Sequence, residues 1–274
     1  MSPLSVPSTV IAFFRAFFGT LVLVLVLVLT GRKIDRKALK RNAVYLIPSG
    51  IALGVNWVLL FEGYRLTGVA TATLCYYLAP AIVIVLSPFL LREKTTKLKT
   101  VCAIIAFLGM IPVSGVLSTE FKADPDGIAL SVAAAFLYAF IVILNKKAKG
   151  LSGIETTVIQ LGISSAVLGL YVFFAVPLSF VDSIPSEIGT LLLLGIVHTG
   201  LAYLLYFTAI KRIKASDAAL FSYIDPAGSL ILSYTVLKED FTYMGLLGII
   251  MILGASLVAE LPQILRRDKK ISDL

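Results

Sequence analysis

The sequence predicts an all-α polytopic membrane protein, with nine transmembrane helices in two inverted repeats, the first repeat lacking its first helix. Three observations carry this. Hydrophobic residues make up 58% of the 274 and charged residues 15%, with a mean hydropathy of +0.97, whereas a soluble domain is about half apolar even with glycine counted. The apolar residues fall into nine runs, each near the roughly 20 residues that a helix needs to cross a bilayer. The stretch at residues 69–93, which includes most of the third run, returns 146 positions later as residues 215–239.

The runs cover residues 8–30, 43–63, 67–91, 98–118, 127–144, 154–180, 187–210, 215–237 and 242–261. The first contains LVLVLVLVL at 21–29, an alternation of two residue types that strands also use. It lies within an unbroken span, and length decides for helix. Gly50 and Gly54 in the second run, and Gly245 with Gly248 in the ninth, let helix backbones approach closely. Cys75 and Cys102 both lie inside runs and read as small packing residues, so neither a disulfide framework nor a metal site is expected.

Charge sets the orientation, because cytoplasmic loops retain Lys and Arg. Clusters follow the first run (Arg32 to Arg41), the third (Arg92 to Lys99), the fifth (Lys146, Lys147, Lys149), the seventh (Lys211, Arg212, Lys214) and the ninth (Arg266 to Lys270). The alternate loops hold only Arg65, Lys122 and Lys238 as basic residues and are otherwise acidic, with Glu120, Asp124, Asp126, Asp182 and Glu187. A multi-pass protein of the cell membrane is expected, with its N-terminus outside and its C-terminus cytoplasmic. The net charge of +8 is therefore a record of orientation, and no nucleic-acid partner is expected.

The duplication is read without gaps. Phe61, Ala72, Leu74, Tyr77, Pro80, Ala81, Ser87, Leu91 and Glu93 match Phe207, Ala218, Leu220, Tyr223, Pro226, Ala227, Ser233, Leu237 and Glu239. In the charge frame the second run starts inside and its partner, the seventh, starts outside, so the repeats are inverted. The domain division expected is residues 1–122 as one repeat of four helices, 123–264 as the other of five, and 265–274 as a basic tail. Pro80 and Pro226 are equivalent helix breaks that free the carbonyls of Tyr76 and Ser222. Paired breaks in inverted halves are the pattern of alternating-access transporters.

Five stretches in order carry a family resemblance: STVIAFFRAFFG at 8–19, YLAP with LLRE at 77–93, LYAF with NKK at 137–147, HTGLAYLLYFTAIKRI at 198–213, and YIDP with LKE at 223–239. With them the chain resembles the EamA-like branch of the drug/metabolite transporter superfamily. The resemblance implies ten helices in two five-helix inverted repeats around a central cavity, and usually export of small metabolites, amino acids or drugs. It also implies an acidic residue just before the second-repeat proline, which here is Asp225. This chain departs from the ten-helix pattern: residues 4–11 align with 151–159, and nothing before them matches the fifth run. A shortened form that is less stable, oligomerises or is inactive alone is one expectation from that departure.

Asp225 is read as the only acid well inside a run, on a polar helical face with Ser222, Ser229 and Ser233. It serves either proton coupling and substrate contact or a structural hydrogen bond. Arg15 lies eight residues into the first run, roughly 10 Å from its end. Its expected partner is Asp225, Glu62 or a substrate anion. His198 is either a packing residue or a proton relay on the face of Ala202 and Tyr206. Asn56, Trp57, Tyr76, Tyr77, Tyr138 and Tyr223 are expected to meet substrate, since aromatic rings with polar tips take a partner when buried. Tyr203 and Tyr206 belong to the same class, and Ser131, Tyr138 and Asn145 share one helical face. Glu93 and Glu239 are expected as structural caps at helix ends.

The function expected is transport of small organic metabolites by alternating access, of the amino-acid, metabolite or drug efflux type, with proton coupling through Asp225. The expected partners are a small-molecule substrate and the bilayer, with a homodimer left open, and no cofactor or metal is expected. An intramembrane enzyme would gather acids or histidines around a metal or nucleophile, which one central acid and one histidine do not supply. A channel would need a filter-like segment, which is not seen.

Overall fold

A computed structural model describes residues 6–31, 34–93, 95–113, 124–177, 181–182, 184–235 and 243–272, with the side chains at 70, 229–230, 232–234 and beyond 259 excepted. Every long regular element among them is a helix. The expected ends of the fourth, sixth and eighth runs and the start of the ninth fall outside the described residues. So do Glu120, Lys122, Lys238 and Glu239, and the side chains of Ser229 and Ser233.

The helices are α1 (Ser8–Leu29), α2 (Arg36–Thr67), α3 (Val69–Tyr76), α4 (Leu78–Leu90), α5 (Lys97–Val113), α6 (Pro125–Lys147), α7 (Gly153–Ala175) and α8 (Ile184–Gly195). A π-helical segment, Ile196–Leu201, joins α8 to α9 (Ala202–Ile210), and α10 (Ala215–Phe221), α11 (Ile224–Thr235) and α12 (Tyr243–Ser272) follow. Among the described residues six runs are long and apolar enough to cross a membrane: Ser8–Leu29, Arg36–Thr67, Thr71–Leu90, Pro125–Lys147, Gly153–Ala175 and Ile184–Ile210. The described part of α12 adds a shorter apolar helix, Tyr243–Ala259. This is an all-helical membrane protein.

Local chemistry explains the boundaries. α7 starts at a capping box, where Ser152 Oγ accepts from the Glu155 N–H and the Glu155 carboxylate accepts from the Ser152 N–H, satisfying donors the helix cannot pair itself. α2 is longer than the expected 43–63. Its first turns stay helical because Asn42 ties them to the α6–α7 connection, giving to and accepting from the Lys149 backbone at 2.7 and 3.1 Å. The third and eighth runs are each broken in two. α3 stops at Tyr76 and α4 starts at Leu78; α10 stops at Phe221 and α11 starts at Ile224. Pro80 and Pro226 then occupy the first turn of the following helix, where a missing N–H costs nothing.

The chain divides into two compact units. One comprises Met1–Glu62 and Phe140–Ile213, the other Gly63–Ala139 and Lys214–Leu274. This division cuts across the sequence halves 1–122 and 123–264, since each unit takes helices from both. In the first unit α1 packs on α7, α8 and the π segment, and α7 packs on α9. α2 meets α7 so closely that a Cβ at Gly50 would lie 2.7 Å from Ile163. In the second unit α5 packs along α12, α4 on α5 and α10, and α11 on α12. The α5–α12 approach is tightest at Gly109, where a Cβ would stand 3.0 Å from the Gly248 carbonyl.

Candidate functional site

Two clusters of polar and aromatic side chains stand out, one in each unit. In the first unit, α1 and the π segment come together across glycines, with a Cβ at Gly19 falling 3.3 Å from the Gly195 carbonyl. That approach brings Arg15, one turn before Gly19, against Thr199. Arg15 Nε donates to Thr199 Oγ1 at 3.0 Å, and Thr199 Oγ1 donates to the Leu194 carbonyl five residues back at 2.8 Å. The wider π turn supplies that carbonyl. The guanidinium carbon also stands 4.9 Å above the Trp57 ring, a cation–π contact worth about 0.5–2 kcal/mol. Trp57 in turn meets Tyr203 at 5.9 Å, and Tyr203 packs edge-on against Phe207.

The described contacts of Arg15 are thus a hydroxyl and an indole. His198 lies on the exposed side of its helix, with Nδ1 3.4 Å from the Leu193 carbonyl, while its neighbour Thr199 is fully buried. Asn56 is fully buried beside Trp57. Below them runs a polar seam that the sequence reading passed over: Gln160 Nε2 of α7 donates to Ser49 Oγ of α2 at 2.5 Å. Gln160 Oε1, Ser164 Oγ and both amide atoms of Asn145 are buried with no hydrogen-bond partner among the described residues. Hydrogen-bonding groups at membrane depth require partners, so this seam is chemically unsaturated.

In the second unit the aromatic residues pair. Tyr77 stacks on Tyr223 at 6.2 Å with the rings 28° apart, and Tyr76 meets Tyr138 at 5.7 Å. Tyr77 and Tyr223 stand at the two helix interruptions, 146 positions apart. Trp57 and Tyr203, the touching pair of the first unit, have the same spacing. Ser222 Oγ donates to the Ala218 carbonyl at 3.0 Å, and Asp225 is exposed in the first turn of α11.

Asp225 is not the only acid within the helices to carry weight. Asp217, in the first turn of α10, is buried and paired with Lys99 Nζ of α5, both side chains being 8% exposed. Beside them the Glu93 carboxylate accepts the Ala215 N–H with both oxygens, at 2.9 and 3.1 Å, so Glu93 caps α10. Sequence reading had assigned Lys99 to a solvated loop cluster and had not singled out Asp217. In the first unit, Lys211 Nζ donates to the Leu151 carbonyl and Thr156 Oγ1 at 2.6 Å each. Burial pushes the pKa of Lys211 below its ordinary value, with Glu155 acting in the opposite sense.

The sequence profile of the EamA-like transporter family matches residues 2–115 and 126–260. The chain belongs to the EamA-like transporter family. Family members close enough to align nearly end to end include YxxF of Bacillus subtilis strain 168, an uncharacterized transporter that is 31% identical over 252 residues, 90% of this chain and 79% of that one. The S-adenosylmethionine uptake transporter of Rickettsia prowazekii strain Madrid E is 25% identical over 253 residues, 90% of this chain and 81% of its own. A chain in a crystal structure shares the fold at a TM-score of 0.81 and 20% identity, over 94% of this chain and 88% of that one. The protein is a transporter and not an enzyme.

Proposed function

We propose that the chain carries small organic solutes across the cell membrane by alternating access, through nine spans in two inverted repeats, with the N-terminus outside and the C-terminus cytoplasmic. The observation that carries this is the pairing of repeat-related residues. Trp57 touches Tyr203 and Tyr77 touches Tyr223, each pair 146 positions apart, and residues related by a two-fold meet their own counterparts only beside its axis. The helix interruptions at Tyr77 and at Ser222–Tyr223 keep the same spacing, as do α5 and the apolar part of α12, which pack together.

In this reading the candidate substrate contacts of the first unit, taken by itself, are Arg15, Asn56, Trp57 and Tyr203, and those of the second, taken by itself, are Tyr76, Tyr77, Tyr138, Ser222 and Tyr223. Ring faces and a few hydroxyls suit planar or weakly charged organic solutes. Asp225, exposed next to Tyr223, binds a proton or a cationic group of the solute. His198, on an exposed helix face, serves packing. Lys99–Asp217 and Glu93–Ala215 close the cytoplasmic end of the second unit. Their repeat counterparts by position are Gly245 with Thr71 for the ion pair, which cannot reproduce it, so closure is chemically different at the two ends.

A flux screen in proteoliposomes tests the reading. A panel of amino acids, amines, nucleosides and S-adenosylmethionine, with and without a pH gradient, should yield at least one solute whose flux exceeds that of protein-free vesicles. Flux at the protein-free level for every solute, in vesicles shown to contain folded chain, would contradict it.

A further inference from the structure

We infer that the first unit binds one anionic phospholipid in a groove between α1 and α9. The groove has a volume of about 560 Å³. Its walls are mainly apolar, with Val26 of α1, Ile154 of α7 and Leu204 and Leu205 of α9 beside the hydroxyls of Thr30, Ser152 and Thr208, and it is also lined by Lys211 and Arg212. Leu205 is 62% exposed, and Val28 on the neighbouring turn of α1 is 70% exposed, so the groove opens toward hydrocarbon. It lies on the side of α9 away from Tyr203 and Phe207 and is separate from the aromatic cluster.

The charge at the mouth is only partly offset, by Glu155 acting on Lys211. Lys211 is held in place by the Leu151 and Ser152 carbonyls and by Thr156 Oγ1, all neutral acceptors. The nearest acid of α7, Glu155, is committed to the N–H and O–H of Ser152. Arg212 is exposed and free to turn its fork of donors toward a phosphate. Apolar walls ending in two cations at a span boundary fit a molecule with an acyl chain and an anionic head. Basic pockets between membrane helices on the cytoplasmic side hold such head groups. A soluble anion would leave the aliphatic walls unused. This inference rests on the membrane setting and not on transport, so its test is a binding measurement.

The full chain in detergent would be titrated with phosphatidylglycerol or with phosphatidylcholine of the same acyl chains, and bound lipid counted by native mass spectrometry. Phosphatidylglycerol should be retained at least about fivefold over phosphatidylcholine, as one basic residue at the head group supplies about that factor. Arg212→Gln should lower phosphatidylglycerol retention by about fivefold and leave phosphatidylcholine unchanged. Leu205→Trp, which fills the groove, should lower both. Lys37→Gln, exposed on α2, should change neither. Equal retention of the two lipids by the unmodified chain would overturn the inference, as would a loss in Lys37→Gln equal to that in Arg212→Gln. Displacement of phosphatidylglycerol by glycerol phosphate would overturn the lipid assignment. If Arg212→Gln does not accumulate, an unchanged lipid count in Leu205→Trp overturns it too.

Discussion

Replacing Asp217 by asparagine should destabilise the chain by about 3–5 kcal/mol, the cost of leaving one member of a buried ion pair without its partner. The figure applies because Lys99 and Asp217 are each only 8% exposed, so solvent cannot take over the charge that remains. The contact of Ser216 Oγ at 3.4 Å would survive in the amide and does not offset the loss. Replacing both members, Lys99→Met with Asp217→Thr, removes both charges and copies the threonine that stands at position 71 in the other repeat. That double variant should recover most of the loss, giving a coupling energy of about 2 kcal/mol or more. Unfolding by detergent titration, followed through the fluorescence of Trp57, the one tryptophan, reads the unmodified chain, Asp217→Asn, the singles Lys99→Met and Asp217→Thr, and the double variant. A loss under about 1 kcal/mol in Asp217→Asn, or a double variant that loses the sum of the singles, would refute the buried-pair reasoning.

Asp225→Asn should insert normally and lose most transport, along with any dependence on a proton gradient; unchanged flux and pH response would make Asp225 structural. Arg15→Met removes the Thr199 bond and the Trp57 contact, and should lower flux severalfold while His198→Ala changes it little; the reverse ranking would contradict the placement of the two. For Lys211 the folded pKa is lowered from 10.5, so the unfolded chain binds more protons in that window. Its burial cost is complete below the lowered pKa and fades as pH rises toward 10.5, so the melting point relative to Lys211→Met should climb with pH there. A flat difference would count against the burial. Reporters fused after Leu274 and at Lys122 should report opposite sides of the membrane, and a common side would contradict the proposed orientation.

The six membrane-crossing helices among the described residues were legible because each is a long apolar run, and the breaks at Tyr77 and Tyr223 because a proline stands three residues further on in both. The burial of Trp57 and Tyr223 was legible because large rings at span depth have few places to go. Thr199 was missed because histidine drew attention by its chemistry, while the signal for its neighbour was steric. Gly19, Gly195 and Gly200 allow the backbone approach that sets Arg15 opposite Thr199. Lys99–Asp217 was missed because a count of basic residues per loop treats each lysine as solvated, and nothing in the sequence says that α5 and α10 begin side by side. Gln160 stayed hidden because a single amide in an apolar run shows its partner, Ser49, only once α2 and α7 are packed.

Counterflow is the most direct test of alternating access. Proteoliposomes would be loaded with an unlabelled solute from the screen, diluted into a trace of the labelled one without any ion gradient, and followed over time. A carrier that returns loaded faster than empty predicts a transient overshoot of label above equilibrium, abolished when the internal solute is omitted. Label that rises to equilibrium with no overshoot, at a rate indifferent to the internal solute, would mean an open pathway and contradict the account.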